Sequence, residues 1–274
     1  MKKKWGKLSL TLVLAAGLLA ACGNNNTETG SGSNGNSAAG AEQIIMGTSA
    51  DFPPYEFHAI IDGKDQIVGF DIEIAKEIAA DMGKELVIKD MSFESLLNEL
   101  NSGRVDFVIS GMNPTPEREK SVDFSDIYYT GEQAIVTKAE NKDKYNTMEA
   151  LQGAKIGVQK SSIQEGIGQE IPNAKLTSLS KITDIMMQLN SGRVDAAIME
   201  KPVAESYVKN MEGLAITDAT PETDVEGYAI GIKKGNTELT EQINQTLARL
   251  KEENKIEQFV AEASELADKS TSEE

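Results

Sequence analysis

Apolar positions along this chain follow two periods, and their alternation reads as short buried strands separated by amphipathic helices. Residues 44–48, 86–88 and 105–109 are short apolar, β-rich runs and predict strands. Between the first two, Ala75, Ile78, Ala79 and Met82 recur at helical spacing and stop at Gly83, with Asp71 placed to cap the start. Asp62-Gly63 predicts a hairpin turn before Gly69, and the prolines of Phe52-Pro-Pro-Tyr55 exclude helix there. Aromatic residues on so rigid a loop serve either a satellite core or the wall of a pocket. Further along, residues 131–137, 155–158 and 228–232 read as strands. A short helix starts at Thr147, and longer ones span 203–209, 236–251 and 256–266; Ile243, Leu247 and Leu250 share one face of the second of these.

The strongest organisational signal is an internal repeat. Leu100-Asn-Ser-Gly-Arg-Val-Asp106 recurs unchanged as Leu189-Asn-Ser-Gly-Arg-Val-Asp195. The stripes preceding it match as well: Phe93, Leu96, Leu97, Leu100 and Ile182, Ile185, Met186, Leu189 share i, i+3, i+4, i+7 spacing. Each copy reads as helix, Gly stop and buried strand. Two copies this far apart are too few and too distant for a solenoid and predict two α/β lobes of related construction.

The segment after the first copy carries chemistry. The strand over 105–109 ends at Ser110-Gly111, where Gly111 lets a ligand approach and leaves its N–H exposed. Thr115 is a good N-cap and Pro116 suits the first helical position, which puts Arg118 in a first turn, where the helix dipole disfavours a cation. Such an Arg calls for an anion. It either holds a carboxylate or pairs with Glu117, Glu119 or Asp123 on a solvated face. The second copy's strand ends at Met199-Glu200-Lys201-Pro202. In open α/β sheets ligands sit beyond the carboxyl ends of the strands, so one lobe offers an Arg and the other a carboxylate. That pair suits the two charged ends of a free amino acid. Gln159-Lys-Ser-Ser162 opens another helix with a second nest of N–H groups.

Composition narrows the possibilities. The chain has 274 residues, enough for two ordinary domains, and a net charge of −17, which argues against nucleic acid and anionic lipid as partners. Phe, Tyr and Trp are few, so the core is expected to be largely aliphatic. One Cys and one His leave no internal disulfide and no zinc cluster, and His58 reads as a surface residue rather than part of a triad. Residues 1–21 have the shape of an export signal: Lys2, Lys3, Lys4 and Lys7 precede an apolar run that is short for a membrane span. Leu19-Ala-Ala-Cys-Gly23 resembles a bacterial lipobox, with Cys22 as the lipidated residue. Residues 22–41 are then a flexible Gly/Asn/Ser-rich tether, and 269–274 a disordered tail.

Taken together, Phe52-Pro-Pro-Tyr-Glu-Phe57, Gly69-Phe-Asp-Ile-Glu-Ile-Ala75, Ser110-Gly-Met112 with Thr115-Pro-Glu-Arg118, Val122-Asp-Phe-Ser-Asp-Ile-Tyr-Tyr129, Val158-Gln-Lys-Ser-Ser162 and Glu200-Lys-Pro-Val-Ala204 resemble one family. It is the extracellular solute-binding proteins of polar amino-acid ABC importers, family 3 of the bacterial solute-binding proteins. The resemblance covers nearly all of residues 42–266. It implies an α/β, two-lobed periplasmic-binding-protein-like (type II) fold, its lobes joined by two crossing strands near 132–138 and 222–229. Lobe 1 would comprise 42–134 and 226–268, and lobe 2 residues 135–225. Arg118 would hold a ligand α-carboxylate with Asn113 and the backbone at Ser110, Gly111 and Ser162 or Ile163. Glu200 would hold the α-ammonium. Phe52 and Phe93 would flank the side chain, with Gln159 reaching it from lobe 2. Three positions depart from the pattern: Ser49 stands where many relatives have Asp, Ile163 where many have Thr or Gly, and Glu200 where most have Asp.

The implied function is a non-enzymatic, monomeric, cofactor-free receptor, lipid-anchored at the extracellular face of the cell membrane. It would capture a free L-α-amino acid, polar or cationic, and deliver it to the permease subunits of an ABC importer. Asp51 and Glu56 point to a cationic side chain, Ser49 and Gln159 to a neutral amide. The alternative is an enzyme on the same scaffold, such as a dehydratase acting on a carboxylated substrate.

Overall fold

The structure, a computed structural model, describes residues 42–225 and 227–269. The expected signal, Cys22, the tether and the tail beyond residue 269 lie outside the described residues. Strands β1 (Gln43–Thr48), β2 (Asp51–Phe52), β3 (Glu56–Ile61) and β4 (Lys64–Val68) come first, then helix α1 (Phe70–Asp81) and β5 (Glu85–Asp90). A 3-10 turn at Phe93–Ser95 leads into α2 (Leu96–Asn101), followed by β6 (Phe107–Val108), α3 (Pro116–Glu119) and β7 (Val122–Phe124). The middle of the chain supplies β8 (Gln133–Lys138), β9 (Lys155–Gln159), α4 (Ile163–Glu170), β10 (Lys175–Leu179), α5 (Ile182–Asn190), β11 (Ala196–Glu200), α6 (Lys201–Asn210) and β12 (Leu214–Ile216). The chain then returns through β13 (Gly231–Lys233), α7 (Thr237–Glu252) and α8 (Lys255–Lys269).

Two five-stranded sheets result, one in each lobe, in the orders β5-β1-β6-β13-β7 and β10-β9-β11-β8-β12. Each has three parallel strands followed by two joined antiparallel. A separate three-stranded sheet, β2-β3-β4, turns at Asp62-Gly63, both at positive φ. The repeated heptapeptide does the same work twice. Gly103 and Gly192 end their helices at φ of 72° and 74°. The repeat aspartates then tie the following strand to its parallel neighbour: Asp106 Oδ2 accepts the N–H of Ile45 at 2.7 Å, and Asp195 Oδ2 that of Lys155 at 2.9 Å. In both lobes this sets the central strand's register against the first parallel strand.

Several expected elements shift. The strand read over 105–109 forms a two-strand-residue ladder only at Phe107–Val108, although Ile109 still donates to Gly47 O and Asp106 to Ile45 O. Within the segment 132–138, β8 pairs along its length with β11 and β12. Tyr129 and Tyr228 form an isolated antiparallel bridge. Asp71 does not cap α1. Gly69 does, and the first N–H groups of the helix, Phe70 and Asp71, donate to Pro54 O and Tyr55 O of the preceding loop. That frees the Asp71 carboxylate, which is fully buried. His58 is exposed and pairs with Asp65, in line with its reading as a surface residue.

The core is aliphatic within the lobes, with Ile72, Ile74 and Ile78 of α1 and Ile185, Met186 and Leu189 of α5 fully buried. The few aromatic rings concentrate instead at the lobe junction. Tyr55 sits 4.5 Å from Phe70, 5.1 Å from Phe52 and 5.3 Å from Tyr228, ring centre to ring centre. Rings at these separations stabilise by about 0.5–1.5 kcal/mol per pair beyond the area they bury.

Gly69 is the tightest point of this arrangement. Its φ is 128°, and a Cβ there would meet Tyr55 O at 2.1 Å, a backbone atom that cannot swing away. Gly69→Ala is therefore expected to destabilise the protein by at least about 2 kcal/mol, since strained backbone alone costs roughly 1–3 kcal/mol. A thermal melt should show a loss of roughly 4–8 °C. A melting temperature unchanged from the parent would contradict the account of how α1 is launched.

Candidate ligand-binding site between the lobes

The expected site residues come from the carboxyl ends of strands in both sheets. Phe52 ends β2, Phe93 opens the turn after β5, and Ser110, Gly111 and Asn113 follow β6. In the second lobe Gln159 ends β9, Ser162 caps α4, Ile163 is its first residue, and Glu200 ends β11. All nine line one enclosed cavity of about 10 Å³, joined by Ser49, Glu56 and Gln164. That volume holds about one water, so anything larger enters only when the lobes part. The two aromatic residues of the rigid loop and turn, Phe52 and Phe93, are thus cavity wall. Arg118 lies just outside, lining a neighbouring cavity of about 390 Å³ that shares Phe93, Ser162 and Ile163 with the first.

Arg118 emerges from α3 as its local sequence dictates: Thr115 is the N-cap, its Oγ accepting the Arg118 N–H, and Pro116 takes the first helical position. The guanidinium does not pair with Glu117, Glu119 or Asp123. It donates to Asn113 O and, across the cleft, to Ser161 O, both at 2.8 Å, and lies 5.3 Å from the centre of the Phe93 ring. Burial lowers its pKa to about 10 with no carboxylate to oppose the shift. It is a cation satisfied only by neutral carbonyls.

Glu200 is its opposite in the second lobe: a carboxylate buried among neutral donors. Gln133 Nε2 donates to Oε2 at 2.6 Å, Gln164 Nε2 to Oε1 at 2.9 Å, and Tyr228 Oη to Oε2. Gln164 also donates to Gln133 Oε1 at 2.8 Å, closing the cluster. Desolvation pushes the Glu200 pKa up to about 7, against these three hydrogen bonds. The sequence reading missed Gln133, Gln164 and Tyr228. Gln133 sits opposite Glu200 in the antiparallel β8–β11 register, and no local motif announces that pairing. Gln164, one residue inside the α4 start, could have been found from the nest signal of Ser161-Ser162.

The first-lobe nest differs from expectation. Gly111 has φ of 49°, and a Cβ there would press Phe52 Cε1 at 2.9 Å, so Gly is required. Its N–H, however, is not exposed but donates to Asp71 Oδ2 at 2.9 Å, alongside Tyr128 Oη at 2.9 Å. Ser110 Oγ donates to Glu56 Oε1 at 2.5 Å while accepting the Ser49 N–H. The Asn113 amide donates to Gly227 O at 2.9 Å, leaving its backbone carbonyl to Arg118. Buried carboxylates of the first lobe, Glu56 and Asp71, have taken the donors read from sequence as free. In the second lobe Ser162 Oγ accepts from the Glu165 N–H and donates to Gln159 O, and Gln159 Nε2 makes a long 3.4 Å bond to Ser180 O.

A cleft between two α/β lobes, walled by two Phe rings and holding an unpaired cation and an unpaired anion, has the geometry of a solute receptor. The sequence profile of the bacterial extracellular solute-binding proteins, family 3, matches residues 44–262. The chain belongs to this family. It is 41% identical over 266 residues to the arginine-binding extracellular protein ArtP of Bacillus subtilis (strain 168), spanning 94% of this chain and 96% of that protein. It is 33% identical over 218 residues to the ABC transporter arginine-binding protein 1 of Escherichia coli (strain K12), covering 78% and 87%. Among solved structures, the amino acid ABC transporter substrate-binding protein AbpA of Streptococcus pneumoniae Canada MDR_19A bound to L-arginine superposes with a TM-score of 0.80 at 38% identity, over 82% of this chain and 95% of that one.

The two sheets' lobes also meet outside the cavity. Here the contact is polar. Helix α5 has no cap from its own chain neighbours; Asp51, from the opposite lobe, accepts the Ile182 N–H at 2.5 Å. Tyr207 Oη donates to Asp51 O at 2.9 Å, Ser180 Oγ to Glu94 Oε1 at 2.6 Å, and Lys181 reaches Asp90 at 3.4 Å. Removing a helix cap costs about 1 kcal/mol, a factor of about five in an equilibrium. Asp51 does not itself line the cavity, although its Oδ1 accepts the hydroxyl of the lining residue Ser49 at 3.2 Å; Asp51→Ala is expected to weaken ligand affinity about five-fold and to enlarge the ligated protein's radius of gyration in small-angle scattering. Unchanged affinity and radius would mean that this interlobe cap does not govern closure.

Proposed function

We propose that this protein captures a free L-α-amino acid with a cationic side chain, arginine first among them, and delivers it to the permease of an ABC importer. The observation that carries the reading is the pattern of uncompensated charge. Arg118 has no carboxylate partner, Glu200 has no cation, and Glu56, which lines the same cavity as Glu200, has a buried Oε2 without a hydrogen-bond partner. A zwitterion with a positive side chain brings the three missing counter-charges. In this reading Arg118 swings from Ser161 O onto the ligand α-carboxylate, with Ser110, Gly111, Asn113, Ser162 and Ile163 shaping its surroundings. Glu200 takes the α-ammonium. Phe52 and Phe93 sandwich the side chain, Gln159 contacts it from the second lobe, and Glu56 receives its charge. The arginine-binding relatives support the choice of ligand.

The lobes, residues 42–134 with 226–268 and residues 135–225, close as a hinge: Arg118 and Glu56 belong to one and Glu200 to the other, so both charged ends are satisfied only when the cleft shuts. The ligand thereby favours the closed form. Titration calorimetry tests the ligand. Arginine should bind, citrulline, which replaces the guanidinium by a neutral urea, should bind about 100-fold more weakly, and arginine methyl ester should lose a similar amount, because stranding one member of a buried charge pair costs roughly 2–5 kcal/mol. Equal affinity for arginine and citrulline would overturn the cationic reading, and equal affinity for the ester would overturn the role of Arg118.

We further place the receptor at the extracellular face of the cell membrane, held as a monomer by acyl chains on Cys22. The support is the position of the chain's one Cys after an apolar run and before a Gly/Asn/Ser-rich stretch. Two or more acyl chains give stable anchoring where one is marginal. Cys22→Ser should release the protein into the medium. A mutant as membrane-bound as the parent would place the anchor elsewhere.

A further inference from the structure

Behind the cavity-lining Glu56 lies another carboxyl group that does not itself line the cavity. Asp71 is the neighbour of Glu56, fully buried like it, and the two carboxyl groups act directly on each other's protonation. Glu56 Oε2 and Asp71 Oδ1 are both buried without a hydrogen-bond partner. Two carboxylate oxygens are both acceptors, so a hydrogen bond between the groups needs a proton. The surroundings say where it sits. Asp71 Oδ2 already receives the Gly111 N–H and the Tyr128 hydroxyl, whereas Glu56 has only the Ser110 hydroxyl. Asp71 is the better-solvated anion, and Glu56 is the acid that donates to it.

We propose that Glu56 and Asp71 share one proton and that a cationic ligand side chain displaces it, so that the site exchanges a proton for its ligand's charge. The inference rests on the reading that the side chain docks on Glu56. In the exchange the Glu56 O–H gives its proton to water in the open cleft, and the resulting carboxylate pairs with the incoming cation; no bond other than O–H is broken. A neutral side chain leaves the proton in place. The ionisable groups around the pair are Asp51 from β2, Tyr128 after β7, and Glu200 with Tyr228 across the cavity, while Arg118 lines the neighbouring cavity. Among the described residues no lysine contributes to the pair, so no resident cation compensates two charges. Burial and the neighbouring Asp71 push the Glu56 acid well above the usual carboxylate range, and Asp71 itself rises to about 6.

The sign follows. The free site holds the proton and the ligated site does not, so arginine binds more tightly as pH rises, by up to ten-fold per pH unit while the free pair remains protonated. Citrulline shares arginine's α-groups, so Glu200, Arg118 and the ligand ammonium affect both alike and cancel in the ratio.

The test is calorimetry of the full-length protein between pH 6 and 8, in phosphate and in Tris, whose ionisation enthalpies differ. Expected are nearly one proton released per arginine beyond any released per citrulline, and an arginine-to-citrulline affinity ratio that climbs several-fold per pH unit. In Asp71→Asn the amide oxygen can keep Gly111 and Tyr128 while the amide N–H satisfies an ionised Glu56. The excess proton release should then vanish and the ratio become flat with pH. Equal proton release for the two ligands in the parent would overturn the exchange, as would an Asp71→Asn protein that still releases the extra proton. Should that variant not fold, infrared difference spectra of the parent decide: arginine, and not citrulline, should remove a protonated-carboxyl band, and its persistence would overturn the proposal. A protein that binds no cationic amino acid at any pH would instead overturn the ligand assignment on which the exchange rests.

Discussion

The constraint on which this architecture depends is the cost of burying Glu200. A carboxylate taken out of water is tolerated only when donors surround it. Here they come from three stretches of chain: Gln133 on the neighbouring strand, Gln164 at the start of α4, and Tyr228 where the chain passes back between the lobes. The cluster therefore pins the second lobe to the interlobe connection while keeping an anion at the cleft wall. Because all three donors are neutral, the charge itself stays uncompensated, and the group's elevated pKa of about 7 records that.

The first lobe handles charge in a complementary way. Arg118 is held by carbonyls alone, one of them from the facing lobe, while Glu56 and Asp71 occupy the hydroxyl and N–H groups of the Ser110-Gly111 turn. Both lobes thus hold unmatched charge at the cleft, Glu56 and Glu200 in one cavity and Arg118 in its neighbour. Uncompensated sites on opposite walls favour a ligand that bridges them. The polar contacts outside the cavity, centred on Asp51 and the start of α5, bias the same equilibrium without touching the ligand.

The aromatic residues show how a small number of rings can serve two ends. Tyr55, Phe70, Tyr129 and Tyr228 form a packed group at the lobe junction, and Phe52 extends it into the cavity wall. Gly111 lets Phe52 lie against the turn, and Gly69 lets α1 begin against the backbone of Tyr55. Cavity shape and junction rigidity consequently share one set of contacts, so a change at either glycine is felt at both.

Sequence by itself determined the periodic elements, the twin α/β lobes and the placement of the cleft. Helical stripes, Gly stops and the repeated heptapeptide are local patterns, and each copy folds by the same hydrogen bonds, down to the Asp106 and Asp195 links to a neighbouring strand. Arg118 was legible for the same reason, since Thr115-Pro116 fixes a helix start within a few residues of it. Tertiary structure alone decided the partners. Asp71 reads as a cap in sequence and becomes the buried companion of Glu56, because loop carbonyls from Pro54 and Tyr55 take the helix start instead. Gln133 meets Glu200 through strand register, and Gly111 gives its N–H to Asp71 rather than to a ligand. The last two pairings join residues 67 and 40 positions apart. Their physical origin is the packing of whole elements, which spacing along the chain does not encode.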